Sequence, residues 1–194
     1  MATRQRESSK LKEELILAGI EVLEQEGAAN FSLRKTTAKC GVSAAALYRH
    51  FASKEDLLAG IVDYINGKWS KLEDEVLLAH SGASTREKLI AVSIKYIEFL
   101  MENPHFRSVV MMRDDKLPSE SLRQKSCMRD VTRELIDAYS EENGLSDERR
   151  TIKTYVVRSL IYGAALMFDN GELVFCPPNM ELVRKMIERE FNLD

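Results

Sequence analysis

The chain has 194 residues, 44% of them hydrophobic and 30% charged, with a formal net charge of −3. That balance excludes wholesale disorder and low-complexity sequence, and a chain this long buries a real core without metal or disulfide support. Cys40, Cys127 and Cys176 are scattered and odd in number, which argues against a disulfide framework and against a metal site of Cys/His spacing. The polar N-terminus does not read as a secretory signal, and the longest apolar run, residues 159–168, is too short to span a bilayer. A cytoplasmic protein with no membrane partner is expected.

Every periodic signal is helical, so an all-α chain of nine helices is predicted. The first covers residues 9–26, where Leu11, Leu15, Ala18 and Val22 share a face and Gly27 ends the run. Ser32 caps a short helix over 33–40, which Gly41 breaks, and Ser43 caps another over 44–50. Ser53 to Asp56 reads as a capping box opening a long helix with Leu58, Ile61, Ile65, Trp69, Leu72 and Val76 in a three/four rhythm. Its pattern fades near His80. A second box, Ser84 to Glu87, opens a helix carrying Ile90, Ile94, Ile97 and Met101, and Asn103-Pro104 separates that helix from the next. Pro118 precedes a helix over 119–142, closed by Asn143-Gly144. Ser146 caps a helix with the stripe Ile152, Val156, Leu160, Gly163 and Met167, and the last helix covers 179–191.

Charge is distributed unevenly. Residues 1–54 hold nine Lys/Arg against six Asp/Glu, a balance of +3, and the remainder carries −6. Residues 28–54 contain five basic side chains and no acidic one, the local imbalance that a phosphate-facing surface needs. The two short helices meeting at Gly41 fall in that stretch and fit a helix-turn-helix, with Gly41 supplying the strained turn and Val42 its apolar anchor. The second helix opens with Ser43 and three alanines, small enough for close approach to a groove, and Tyr48, Arg49 and His50 leave it as donors. Lys54 opposes the dipole of the long helix that it opens, which hints at an outside anion.

The stretch from Phe31 to Leu58 resembles the DNA-binding signature of the tetracycline-repressor (TetR) family. The resemblance rests on Gly41-Val42-Ser43, Leu47-Tyr48, His50-Phe51, and Lys54 with Glu55 and Leu57 at the family's spacing, and it covers about residues 9–60. This chain departs from the family at Thr36-Thr37, where an aliphatic residue and alanine are usual, and at Ala45 and Ala46, where Gly or Pro and then Thr are common. The resemblance implies an N-terminal DNA-binding domain, 1–56, and a helical ligand-sensing and dimerisation domain, 57–194. It places Arg34, Thr36, Ser43, Ala44, Ala45, Tyr48, Arg49, His50 and Lys54 at double-stranded operator DNA, pseudo-palindromic because the protein would be a homodimer. Arg34 is the best candidate for a guanine contact, and the alanines suit thymine methyls.

The resemblance also implies a pocket for a small apolar or amphipathic effector. Trp69, Tyr96, Phe99, Met101, Phe106, Met111, Met128 and Tyr162 are its candidate lining, since aromatic and methionine side chains suit a plastic apolar site. The last two helices would pair with their mates through Val156, Leu160, Gly163, Met167, Val183, Met186 and Ile187. The expected protein is a repressor released by its effector. No nucleophile elbow, HExxH or phosphate loop is present, and the three histidines are scattered, so neither an enzyme nor a cofactor is expected.

Overall fold

The computed structural model describes residues 2–111 and 130–192. Within them nine helices form: α1 (Ala2–Asn30), α2 (Leu33–Cys40), α3 (Ala44–Tyr48), α4 (Lys54–Ala79), α5 (Thr85–Glu102), α6 (Pro104–Met111), α7 (Asp130–Glu142), α8 (Asp147–Asp169) and α9 (Pro177–Glu190). No strand occurs among the described residues. The expected start of α7 near 119 lies outside the described residues. Helix α1 begins earlier than its apolar stripe, and Gly27, at φ 72°, interrupts it where the stripe ends. Helix α3 stops at Tyr48, two residues short of expectation, because His50 N–H and Phe51 N–H both turn back to the Leu47 carbonyl.

Caps set the helix boundaries. Gly41 takes the left-handed conformation, φ 71°, and its N–H and that of Val42 bond back to Ala38 and Thr37. This Schellman arrangement satisfies carbonyls that a helix end would otherwise leave open. Gly144 repeats it after α7. The two predicted capping boxes differ. At α5 the box is complete: Ser84 Oγ accepts from Glu87 N, and Glu87 Oε2 accepts from Ser84 N at 2.8 Å. At α4 Ser53 Oγ accepts from Asp56 N, but the Asp56 carboxylate takes the Ala52 N–H at 2.7 Å. Aspartate is one methylene shorter than glutamate, so its return bond reaches a different donor.

The described residues divide into two compact units, 2–68 with 104–111 and 69–103 with 130–192. The sequence boundary after 56 falls in the first turn of α4, whereas the contacts divide that helix after Lys68. The core of the first unit comprises Leu15, Ile16, Ile20, Val22 and Leu23 of α1, Leu47 of α3, Phe51, and Leu57, Leu58, Ile61, Val62 and Ile65 of α4. The second unit packs Ile90, Ile94 and Ile97 of α5 with Tyr139 of α7, Val157, Ile161, Ala164 and Phe168 of α8, and Val183 and Ile187 of α9. Arg86 ties the C-terminal turn to α5, donating to the carbonyls of Phe191 and Glu188 and to Asn192 Oδ1.

Val183 and Ile187, expected at a dimer interface, therefore lie in the chain's own core. On α8 the stripe read from the sequence, expected at a dimer contact, lies beside the buried face. Val157, Ile161, Ala164, Ala165 and Phe168 point inward, leaving Val156, Leu160 and Gly163 half-buried and Ile152 and Met167 exposed. Both faces of α8 are apolar, and periodicity alone cannot rank two such faces.

Two glycines of α4 separate packing from propensity. A Cβ at Gly60 would stand 2.8 Å from the Phe51 ring, whereas one at Gly67 would meet nothing within 4 Å. Gly60→Ala is expected to destabilise the protein by about 1–3 kcal/mol through overpacking, and Gly67→Ala to stabilise it by about 0.5–1 kcal/mol. Urea unfolding followed by circular dichroism checks both signs.

Candidate nucleic-acid interface

Helix α3 has five residues, too few to persist alone in water. Ser43 caps it by accepting from Ala46 N at 3.2 Å, and burial of Ala46, Leu47 and Phe51 clamps it to the unit. That clamp decides the outer face. Ser43, Ala44, Ala45, Tyr48 and Arg49 are exposed, with Tyr48 at 57%, and His50 is half-buried. Arg34 is exposed on the neighbouring α2.

Thr36, expected among the contacting residues, is instead 0% exposed. Its hydroxyl bonds back to the Ser32 carbonyl at 3.2 Å, so a threonine fills an apolar position with its methyl and satisfies its oxygen locally. The basic stretch is also less open than its composition suggests. Lys35 pairs with Glu26, and Lys39 pairs with Glu21 at 2.8 Å and donates to Gln25. Both lysines turn toward α1. Lys54 holds its ammonium 5.6 Å from the centre of the buried Phe31 ring, a cation–π contact that accounts for a cation at a helix start. Of the five basic residues in 28–54, Arg34, Lys39 and Arg49 are exposed, and Lys39 is the one of these paired to α1.

In the second unit four of the candidate pocket residues come together. The Trp69 ring lies 4.7 Å from Tyr96 and 5.6 Å from Phe99, and Tyr96 lies 6.5 Å from Tyr162. Met101 packs at the edge of the core. Phe106 belongs to the first unit, edge-on to Tyr64 at 6.0 Å, because α6 packs on α1 there. Met128, and the side chain of Met111, lie outside the described residues. Sequence reading missed Glu73, one turn after Trp69 on α4. It is 0% exposed and accepts a hydrogen bond from Thr132 of α7. Its signal was faint, since Leu72 beside it carried the apolar rhythm. Among the described residues no three His, Cys, Asp or Glu side chains group as a metal site, and no helix is long and apolar enough to cross a membrane.

A capped turn between two short helices, with the second helix held outward by a third, defines a helix-turn-helix protein. The family model for bacterial regulatory proteins of the tetR family matches residues 15–61, which contain this whole arrangement. The nucleoid occlusion factor SlmA of Aliivibrio fischeri is 29% identical over 115 residues, 59% of this chain and 58% of that protein. The match thus spans less than two thirds of the relative's length. A TetR family transcription regulator from Marinobacter aquaeolei shares the fold over 96% of this chain and 97% of its own, with a TM-score of 0.70 and 18% identity. A gamma-butyrolactone receptor (ArpA-like protein) shares it over 95% and 98%, with a TM-score of 0.57 and 17% identity. Residues 15–61 thus match the tetR family of bacterial regulatory proteins, and the described residues share the fold of a tetR-family structure.

Burial pushes the Tyr96 phenol well above the usual tyrosine range, with the charge of and hydrogen bond to Tyr162 as lesser causes. The folded state thus favours the neutral phenol. Its contribution to stability is complete below the unfolded value of about 10 and is lost as pH rises above it. Tyr96→Phe is expected to flatten the loss of stability above about pH 10, measured by urea unfolding in an alkaline series.

Proposed function

We propose that this protein is a cytoplasmic, homodimeric, DNA-binding transcriptional repressor released by a small apolar or amphipathic effector. The observation that carries the DNA-binding reading is the outward face of α3, held by Leu47 and Phe51 within the segment that matches the family model. Residues 1–56 bind the operator and residues 57–194 sense and dimerise. Ser43, Ala44 and Ala45 face base edges, Arg34 reaches guanine, and Tyr48, Arg49, His50 and Lys54 meet the backbone.

The aromatic group of Trp69, Tyr96, Phe99 and Tyr162 supports the effector site. Rings with one hydroxyl-bearing edge suit a ligand that is mostly apolar with few polar groups. The uncovered face of α8 and α9 supports the dimer. Ile152, Tyr155, Leu166 and Met167 on α8, with Leu182 and Met186 on α9, are exposed on the single chain, Tyr155 at 65%. Large apolar side chains grouped on adjoining helices mark an association surface. Two such surfaces related by a two-fold axis form a four-helix contact.

Fluorescence anisotropy with the DNA upstream of the protein's own gene, and with a site selected from random duplexes, tests the reading. Tight, site-selective binding that falls steeply with salt is expected; a folded dimer that selects no duplex at low salt overturns it. Tyr48→Phe is expected to weaken binding to all sequences alike, because a phosphate contact carries no base identity; loss confined to one base pair contradicts that role. Deleting α9 would remove Val183 and Ile187 from the core, so the dimer is better tested at an exposed position. Met186→Glu is expected to give folded monomers in sedimentation equilibrium, while the parent chain sediments as a dimer.

A further inference from the structure

The outer face of α3 has an unusual chemistry for a surface that reads base edges. Its first turn presents only the methyl groups of Ala44 and Ala45, while Ala46 and Leu47 are turned into the core. The one hydroxyl nearby, Ser43 Oγ, accepts from Ala46 N as the cap of the same helix and stands ahead of the first turn. The first side chains able to form hydrogen bonds on this face, Tyr48 and Arg49, stand four residues beyond Ala44 and Ala45, about 6 Å along the axis. Lys35 and Lys39 of α2 are turned to the α1 carboxylates and cannot lean across to supply donors without breaking those pairs. A base edge beneath Ala44 and Ala45 therefore meets methyl groups, with the Ser43 hydroxyl at the cap as the nearest polar side chain of α3. In the major groove a single base carries an apolar group of matching size, the C5 methyl of thymine.

We infer that Ala44 and Ala45 are specificity-determining residues of each half-site beside Arg34, and that they read 5-methylpyrimidines, thymine above all, by methyl-to-methyl contact. This deepens the DNA-binding reading above and rests on it. Cytosine at the same place leaves a methyl-sized gap, and 5-methylcytosine fills it. The site therefore senses the methyl group itself, apart from the hydrogen-bonding pattern of the base pair.

The test uses the full chain and a duplex that it selects from a random library. Each thymine is replaced in turn by deoxyuridine, which removes the methyl and keeps every hydrogen-bonding group, and affinity is measured by competition anisotropy at fixed salt. At one or two positions per half-site the affinity is expected to fall about fourfold, the fold-change that burying one methyl group corresponds to. A cytosine placed there is expected to regain affinity when methylated at C5. In the Ala44→Gly and Ala45→Gly variants the thymine and deoxyuridine duplexes are expected to bind alike. Indifference of the parent protein to every deoxyuridine overturns the inference and leaves the DNA-binding reading standing; this arm does not depend on any variant folding. A deoxyuridine effect that persists undiminished in folded glycine variants also overturns it, since the methyl then acts through DNA shape. If the chain selects no duplex, the DNA-binding reading fails and this inference fails with it.

Discussion

The first unit depends on one constraint: a five-residue helix must be held in a defined orientation by something other than itself. Leu47 and Phe51 supply that by full burial, and Gly60 makes room for the Phe51 ring against α4. The caps at Ser43 and Gly41 fix where α3 begins and how it leaves α2. The exposed face of α3 is thus a by-product of its buried one. Changes in the core under α3 would re-aim its outer residues without touching them.

Electrostatics in this unit do two different jobs. Glu21 and Glu26 on α1 neutralise Lys39 and Lys35, so those lysines tie α2 to α1. Such partly exposed pairs contribute little stability each, on the order of 0–1 kcal/mol, but they fix side-chain direction. Lys54 is held over Phe31. Arg34 and Arg49 are exposed in the same stretch as the small apolar side chains Ala44 and Ala45.

The second unit carries a conflict that a single chain does not resolve. Helix α8 is apolar on both sides, and the core covers one of them. The other leaves tyrosine, isoleucine, leucine and methionine in water, at a cost that association would relieve. Beside the core, Trp69, Tyr96, Phe99 and Tyr162 group their rings, and a fully buried Glu73 lies one turn from Trp69. Aromatic packing and a buried hydrogen-bonded carboxylate thus lie in one region of this unit.

Much of the architecture was legible in the chain itself. Helix existence, the caps at Ser32, Ser43, Ser84 and Ser146, the breaks at Gly27, Gly41 and Gly144, and the helix-turn-helix all follow from local chemistry, because capping and turn geometry are decided within a few residues. Side-chain assignments were less legible. Thr36 was open to reading as a surface donor because a hydroxyl can be satisfied by DNA, by water or by its own backbone, and only packing selects among them. Val183 and Ile187 have the periodicity of any apolar face, and the chain alone does not say whether that face meets its own core or a partner. The long-range pairings of Lys35 and Lys39, and the placement of Phe106 against Tyr64, likewise depend on distances between segments far apart in sequence. Local chemistry along the chain fixes which segments are helices and where they turn; packing between segments selects which of their faces are spent inside and which stay exposed, since burial belongs to contacts between elements and not to any one of them.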